Sequence, residues 1–170
     1  MIYHWRGKAF GMLKKVKEIH PPRGLARLGF RLPIWFYRFG LGGLLGTRFL
    51  LLTHTGRKTG RERQTVLEVV RYNPATSTLF VAAGFGTGSD WYQNIRANPQ
   101  VTVQCGRKRW QMTAEFLSPE KAGDALLDYA RRHPLALKEL ARFMGYRMDS
   151  SPESIRTLGQ HLAMVAFHPS

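Results

Sequence analysis

The sequence predicts an α+β fold whose core is a closed, or nearly closed, antiparallel β-barrel with helices at its periphery. Residues 49–116 consist mainly of strand-like apolar segments, and the connections between them are too short for the crossovers that parallel strands need. Residues 117–170 are mostly helical in pattern and end in one further strand. Closing five or six such strands removes the unpaired sheet edges, so a barrel is favoured over an open sheet.

Five apolar segments supply the predicted strands of the central zone. The segment "VTVQC" alternates most clearly, with Val101, Val103 and Cys105 on its inward side. The segment "RQTVLEVVRY" is less regular, because apolar residues lie on both of its faces. In chain order the strands are FLLLTHT (49–55), RQTVLEVVRY (63–72), TLFVAA (78–83), VTVQC (101–105) and KRWQMTAEF (108–116).

The C-terminal zone is predicted to be helical. Ser118 before Pro119 is typical of a helix start, and a second helix is expected from about Pro134 to Gly145. The stretch "SSPES" predicts a further short helix, and "HLAMVAFHP" predicts a strand that returns to the sheet.

Residues 1–48 are interpreted as an N-terminal basic helical segment and residues 49–170 as the barrel, within a single domain overall. Apolar residues recur at helical spacing near the N-terminus, and "LPIWFYRFG" predicts a short helix after Pro33 that ends at Gly40. Three interpretations of this segment stay open: contact with anionic lipid, covering of a substrate pocket, or simple packing on the barrel. The residues at helical spacing are Trp5, Ala9, Leu13, Val16 and Ile19.

The charge of the chain is strongly positive and unevenly distributed. The net charge is +15, and residues 1–63 alone carry +12 with 14 Lys and Arg against 2 acidic residues. Such an excess favours an anionic partner: nucleic acid, a lipid surface or a phosphorylated small molecule. A single cysteine, Cys105, excludes an intrachain disulfide, and we predict no metal site. Because no signal peptide or long apolar run is present, a cytoplasmic location is expected, with the inner face of the membrane as an option.

Two glycine-containing bends are candidate binding elements. In "TGRKTGR", Gly56 and Gly60 can expose backbone N–H groups beside Arg57 and Lys58, which suits phosphate or carboxylate oxygens. A solvated hairpin is the alternative, and the spacing of a Walker A loop is absent. In "AAGFGTGSDWYQNIRANP", a strand enters a glycine-rich bend followed by a helix start, which suits an anion or a flat ring. A purely structural loop is the alternative there, and Ser89 breaks the dinucleotide-binding pattern.

The two bends together resemble a known family. The sequence "LLLTHTGRKTGRERQTVLEVV", followed by "LFVAAGFGTGSDWYQNIRANPQVTVQ", is similar to the deazaflavin-dependent nitroreductases, a family of split-barrel oxidoreductases, over about residues 30–115. The resemblance implies a six-stranded antiparallel split β-barrel of the FMN-binding type. It also implies hydride transfer from reduced coenzyme F-420, an 8-hydroxy-5-deazaflavin, to an unsaturated, quinone-like or nitro acceptor. The anionic tail of that coenzyme would account for the cationic bend.

The resemblance also assigns site residues. It places the anionic arm of the coenzyme at Arg57, Lys58 and Arg63, and the deazaflavin ring beside the glycine-rich bend. Trp91, Tyr92 and Asn94 match a family element in which we expect the aromatic rings to pack the barrel. The other cofactor-binding residues that the resemblance implies are Thr55, Thr59, Thr65, Val66, Ala82, Ala83, Gly84, Phe85 and Gly86.

The chain departs from the family pattern in two places. Gly84 and Phe85 stand where many members carry Ser-Lys, so a hydroxyl and a cation are missing; a basic residue of "CGRKRW" (Arg107, Lys108 or Arg109) is one candidate to replace the charge. The C-terminal segment lacks the cluster of tyrosines of the nitroreductase branch, so nitroimidazole reduction is not expected. The candidate proton donors are Tyr129, His133 and Tyr146.

Two other classes of function remain open at this level. The same barrel hosts FMN or haem in other proteins, because a fold does not determine its ligand. A non-enzymatic, basic anion-binding module is the second alternative, although no recognised nucleic-acid motif is present and no nucleic-acid partner is expected. The partners we expect are a small-molecule hydride acceptor, a second copy of the chain in a homodimer, and a membrane touched by the basic segment.

Overall fold

The computed structural model describes residues 13–17, 34, 37–39 and 41–170. Six strands form the barrel: β2 (Phe49–Thr55), β3 (Glu62–Asn73), β4 (Thr78–Ala82), β5 (Gln100–Cys105), β6 (Lys108–Phe116) and β8 (Met164–Pro169). They close in the order β2-β3-β4-β8-β6-β5, and every neighbouring pair is antiparallel. The predicted α+β fold with a six-stranded antiparallel barrel is therefore confirmed.

Helices surround this barrel in the part of the chain that is described. They are α1 (Asp90–Ala97), α2 (Pro119–Arg132), α3 (Pro134–Phe143) and α4 (Pro152–His161), with a 3-10 turn at Leu41–Leu45. Ser118 caps α2 by accepting a hydrogen bond from the Lys121 backbone N–H at 3.4 Å, as its position before a proline predicts. Ser151 caps α4 in the same way, accepting from the Ser154 N–H at 3.2 Å.

The N-terminal helix prediction is wrong where it can be compared with the structure. Residues Leu13–Lys15 form strand β1, which pairs antiparallel with β7 (Tyr146–Met148). The Val16 and Lys17 N–H groups then donate to the Gly145 carbonyl, at 2.7 and 3.2 Å. Backbone pairing with a distant segment thus overrides the helical spacing of the side chains. Trp5, Ala9 and Ile19 lie outside the described residues.

The short helix predicted after Pro33 agrees with the residues that are described. Ile34, Tyr37 and Arg38 are helical, and Phe39 lies in a turn. The Tyr37 hydroxyl donates to the Phe49 carbonyl at 2.7 Å, which ties this segment to the first strand of the barrel. The division at residue 48 stays a prediction.

The apolar side chains form two cores. Inside the barrel, residues such as Leu52, Val103 and Phe167 have no solvent-accessible surface, and Val101 and Cys105 are buried beside them as their alternation predicts. The second core lies between the barrel and helices α2–α4. Each fully buried side chain of this size contributes about 1.5–3 kcal/mol to folding. The barrel is therefore a packed scaffold, and its ends are where a ligand has room.

The strand register defines two ends of the barrel. The pairs Thr55↔Glu62, Ala82↔Met164 and Phe116↔Val165 lie at one end, which we call the upper end. The pairs Asn73↔Thr78 and Cys105↔Lys108 lie at the other, which we call the lower end. The bend after β2 and the bend after β4 therefore lie at the same, upper end, although 20 to 30 residues separate them in the chain.

Candidate functional site

The bend after β2 is held by its own backbone hydrogen bonds. The Gly56 N–H donates to the Arg61 carbonyl at 2.8 Å, and the Gly60 N–H donates to the Gly56 carbonyl at 2.8 Å. Gly60 has φ +66°, a conformation that favours glycine. This geometry leaves Lys58, Thr59 and Arg61 exposed at the tip, and we call residues 56–61 the upper basic bend.

Asn94 joins the upper basic bend to helix α1. Its Oδ1 accepts hydrogen bonds from the Arg57 backbone N–H at 3.0 Å and from the Arg57 Nη1 at 2.9 Å. The same Nη1 lies 3.2 Å from the Asp90 carboxylate. Asn94 is buried, so its two bonds to Arg57 are partly shielded from water, whereas the contact with Asp90 is exposed. Together they fix Arg57 where α1 begins.

His54 lies beneath this contact. Since Asn94 accepts through Oδ1, its Nδ2 donates to the Nδ1 of His54 at 3.2 Å, and the proton of the neutral imidazole is then on Nε2. Burial, with a further contribution from the positive charge of Arg63, lowers the pKa of His54 to about 4. His54 is therefore neutral at physiological pH and serves as an uncharged support.

The glycine-rich bend (residues 83–89) directly precedes α1 in the chain and is also hydrogen-bonded to that helix. The Ser89 hydroxyl donates to the Gly86 carbonyl at 2.8 Å, and the Gln93 Nε2 donates to the Thr87 carbonyl at 2.7 Å. A Cβ added at Gly86 or Gly88 would meet nothing within 4 Å. The backbone here therefore borders open space, which a flat ring could occupy.

A cavity of about 260 Å³ opens beside the glycine-rich bend. Its lining combines backbone of the bend with side chains from three other segments. The residues that line it are Lys15, Ala83, Gly84, Phe85, Gly86, Thr87, Met144, Tyr146, His161, Leu162 and Ala163. The cavity thus brings together the bend, strand β7 and the end of α4.

The three predicted proton donors occupy different environments. Tyr146 is half-buried and lines the cavity. Tyr129 is buried and donates to Glu68 at 3.1 Å; burial, with the negative charge of Glu68, raises its pKa to about 12. His133 lies between α2 and α3, with its ring centroid 5.3 Å from that of Tyr129. The structure brings only Tyr146 of these three to the cavity lining.

The remaining predicted site residues are also at the upper end. Arg63 pairs with His54 in the β2–β3 register, and Thr65 and Val66 are half-buried on β3. Thr55 ends β2, Ala82 ends β4, and the Thr59 hydroxyl accepts from the Arg61 N–H at 3.3 Å.

The two aromatic residues that precede Asn94 pack as expected. Tyr92 is buried and makes edge-to-face contacts with Trp91 and Phe116, with ring centroids 5.7 and 5.2 Å apart. Both rings contact the interior of the barrel.

The "CGRKRW" hairpin does not replace the missing cation. Its register, Cys105↔Lys108, places it at the lower end, whereas Gly84 and Phe85 follow β4 at the upper end. The strands that connect these ends are 5 to 12 residues long, and a strand advances by about 3.3 Å per residue. The hairpin and the glycine-rich bend are therefore separated by the length of the barrel. Phe85 instead makes an edge-to-face contact with Phe143 at 5.7 Å.

Around the upper basic bend, sequence reasoning missed two residues, His54 and Asp90; at the cavity it missed His161, which ends α4. His54 lies in an otherwise apolar strand, and a buried polar side chain needs a hydrogen-bond partner. That requirement could have indicated from the sequence that His54 has a polar neighbour in the fold. Asp90 begins α1, where an acidic residue is favourable for the helix alone, so its sequence position gave no indication of a contact with Arg57.

The described residues contain neither a candidate metal site nor a candidate membrane-spanning helix. No group of three or more His, Cys, Asp or Glu side chains in this part of the chain is arranged to hold a metal ion. None of its helices has both the length and the apolar character needed to span a bilayer.

Comparison with known proteins identifies the family. The model of the family described as F420H(2)-dependent quinone reductase matches residues 30–149. F420H(2)-dependent quinone reductases from two strains of Mycobacterium tuberculosis, CDC 1551 and H37Rv, are each 33% identical over 119 residues, which is 66% of this chain and 76% of the relative.

Solved structures also match, at lower sequence identity. The structure of an F420-H2 dependent reductase (FDR-A) is 23% identical, with a TM-score of 0.49, covering 71% of this chain and 94% of that chain. A conserved hypothetical protein of Mycobacterium tuberculosis is 13% identical with a TM-score of 0.50, covering 78% of this chain and 79% of that chain. The family match over most of the described barrel, together with the curated relatives, shows that the chain belongs to the F420H(2)-dependent quinone reductase family, whose members are oxidoreductases that use coenzyme F-420.

Proposed function

We propose that this protein reduces a quinone-class acceptor with reduced coenzyme F-420, and that the whole reaction takes place at the upper end of the barrel. The observation that carries the proposal is the position of α1. Through Asn94 this helix holds the upper basic bend, and through Gln93 it holds the glycine-rich bend beside the cavity. One rigid element thus positions a cationic surface and an open backbone surface at the same end.

The upper basic bend suits the anionic arm of the coenzyme. Arg57 is held by Asn94 and Asp90, so little of its freedom remains to be lost when an anion binds. Lys58, Arg61 and Arg63 are exposed around it and can contact phosphate or carboxylate oxygens. Each charge-assisted hydrogen bond of this kind contributes about 1.5–3 kcal/mol.

The glycine-rich bend suits the ring. The bound coenzyme supplies a hydride, and the protein supplies position and exclusion of water. Because Gly84 and Gly86 have no side chains, a planar group can approach the backbone, and a Cβ at Gly84 would meet Met144 only at 4.0 Å. Phe85 and Met144 add apolar side chains to the lining, which the uncharged ring of a quinone could contact.

Anaerobic titration tests the proposal. We expect reduced F-420 to bind the purified protein and to be oxidised when 1,4-benzoquinone is added, with little effect of a nitroimidazole. FMN is the matched competitor, because it also carries a phosphate on a ribityl chain. Tight binding of FMN without binding of F-420 would contradict the proposal.

We also propose peripheral contact with an anionic membrane surface, where lipid-soluble quinones dissolve. Val16 and Phe143 are 53% and 48% exposed, and the Val16 N–H bonds to Gly145, next to cavity residues Met144 and Tyr146. Exposed cations lie on β1 and β7, the two strands of the small sheet beside these residues, and include Lys14 and Arg147. A surface with exposed apolar side chains and neighbouring cations suits contact with an anionic bilayer.

Vesicle co-sedimentation tests the membrane contact. The double variant Val16→Glu and Phe143→Glu is expected to pellet less with phosphatidylglycerol vesicles than the wild type. Leu44→Glu is the matched control, since Leu44 is 77% exposed but its neighbour Gly43 lies against Arg107 of the lower hairpin. Equal pelleting of all three proteins would count against the contact. A homodimer and a cytoplasmic location stay predictions.

A further inference from the structure

His161 is a titratable group of the cavity that no motif of the family indicates. It is the last residue of α4 and lines the cavity together with Tyr146 of β7 and Lys15 of β1. These three are the titratable side chains of the lining; the other residues are Thr87, glycines and apolar residues. Polar chemistry inside the cavity therefore depends on a small set of groups.

The ring of His161 has a defined orientation. Its Nδ1 lies 2.7 Å from the Thr157 carbonyl oxygen of the preceding turn. A carbonyl can only accept, so Nδ1 carries a hydrogen and donates it. The proton that His161 gains or loses is then the one on Nε2. Because the side chain is exposed, Nε2 can take a new proton from water after giving one away.

The environment of His161 differs from that of the other candidate donors. Tyr129 is buried and already donates to Glu68, and neither it nor His133 lines the cavity. Tyr146 does line it. An imidazole, however, can donate a proton from one ring nitrogen while the other nitrogen stays hydrogen-bonded, whereas a phenol has a single O–H group.

We propose that Nε2 of His161 delivers the proton that completes quinone reduction in this cavity. This inference rests on the proposed function. A quinone becomes a hydroquinone by gaining one hydride, which carries two electrons, and one proton. The reductant is reduced F-420, the proton leaves the Nε2–H bond, and a new O–H bond forms on the acceptor. The neutral imidazole is then reprotonated by solvent. The positive charge of Lys15 stabilises the anionic oxygen before it is protonated.

The first test needs no cofactor. In anaerobic nitrogen-15 NMR spectra of cofactor-free protein, added hydroquinone is expected to shift the ring resonances of His161. These resonances are assigned by their loss in His161→Gln. The resonances of His168 should not move, because His168 lies near the lower end of β8. Unchanged His161 resonances at saturating hydroquinone would overturn the proposal.

The second test uses the complete system. We expect His161→Gln to bind reduced F-420 as the wild type does, to reduce benzoquinone about a hundredfold more slowly, and to lose the decline in rate that the wild type shows as pH rises. His168→Gln is the matched control and should keep both rate and pH profile. A wild-type profile in His161→Gln, or its loss in Tyr146→Phe instead, would overturn the proposal. Failure of the wild type to bind F-420 would overturn the proposed function. The NMR titration with hydroquinone would then test separately whether His161 contacts the acceptor.

Discussion

The tripeptide Gly-Arg-Lys occurs twice in this chain, once at each end of the barrel. Gly56-Arg57-Lys58 begins the upper basic bend, and Gly106-Arg107-Lys108 forms the turn between β5 and β6 at the lower end. Gly60 of the upper bend and Gly106 of the lower turn each adopt positive φ, and in both places the basic side chains are exposed. Composition alone therefore does not distinguish the two bends.

The contacts of the two arginines differ. Arg57 is bonded through its backbone and its guanidinium to Asn94 and Asp90 of α1, whereas Arg107 lies along Gly43, within 3.2 Å of the position of an added Cβ. The helix also connects the upper bend to the glycine-rich bend and the cavity. A cationic turn becomes a candidate binding site when a second element fixes its charge beside an open surface.

The largest expected effect is on cofactor affinity. The double variant Arg57→Ala and Lys58→Ala should weaken binding of reduced F-420 at least a hundredfold, because about two charge-assisted hydrogen bonds are lost. Its affinity should also depend less on salt than that of the wild type. Isothermal titration at two ionic strengths measures both changes. The matched double variant Arg107→Ala and Lys108→Ala should keep the wild-type affinity, and a comparable loss there would remove the distinction between the two bends.

The second effect is on stability at low pH. Because the pKa of His54 is about 4 in the folded state and about 6.5 when unfolded, the unfolded chain binds more protons between these values. Stability is therefore full above about pH 6.5 and falls as pH drops towards 4, by up to about 3 kcal/mol. Urea unfolding at pH 7 and pH 4.5 measures the loss. His54→Gln should flatten this part of the pH dependence, and an unchanged slope would show that His54 is not the group concerned.

The third effect isolates the link between α1 and the upper basic bend. Asn94→Ala leaves the Arg57 N–H and the His54 ring without this partner, so the free energy of unfolding should fall by about 1–3 kcal/mol and cofactor affinity roughly tenfold. Asn73→Ala is the control: its side chain accepts from the Ala75 N–H in a lower-end turn. That variant should lose some stability and no affinity. Equal affinity of the two variants for reduced F-420 would contradict the positioning role of Asn94.

The smallest effect comes from the glycines themselves. Gly60→Ala and Gly106→Ala each place a Cβ at positive φ, at +66° and +58°, and should each cost about 1–2 kcal/mol of stability. Only Gly60→Ala is expected to lower cofactor affinity, by a few-fold, because it shifts the cations of the upper bend. Thermal melts and titrations of both variants compare them directly, and a parallel loss of affinity would indicate a global effect.

Much of the fold follows from local patterns. The alternation at Val101, Val103 and Cys105 predicted an inward face, and Ser118 before Pro119 predicted a helix start; both are present. The helical spacing around Leu13 predicted a helix where the structure has a strand. That strand pairs with β7, a segment more than 130 residues away, and no local pattern reports such a contact. The hypothesis that the "CGRKRW" hairpin supplies a cation to the ring is wrong for a related reason. Only the strand register decides which hairpins lie at the same end of the barrel.

The sequence by itself determined the barrel strands and the C-terminal helices, the excess of positive charge and the family, since these depend on periodicity, composition and two contiguous motifs. The tertiary structure decided which of two similar basic bends belongs with the glycine-rich bend, that Asn94 and His54 support Arg57, and that His161 borders the cavity. Those relations depend on strand register and barrel closure, which bring together residues far apart in the chain and which no local pattern contains.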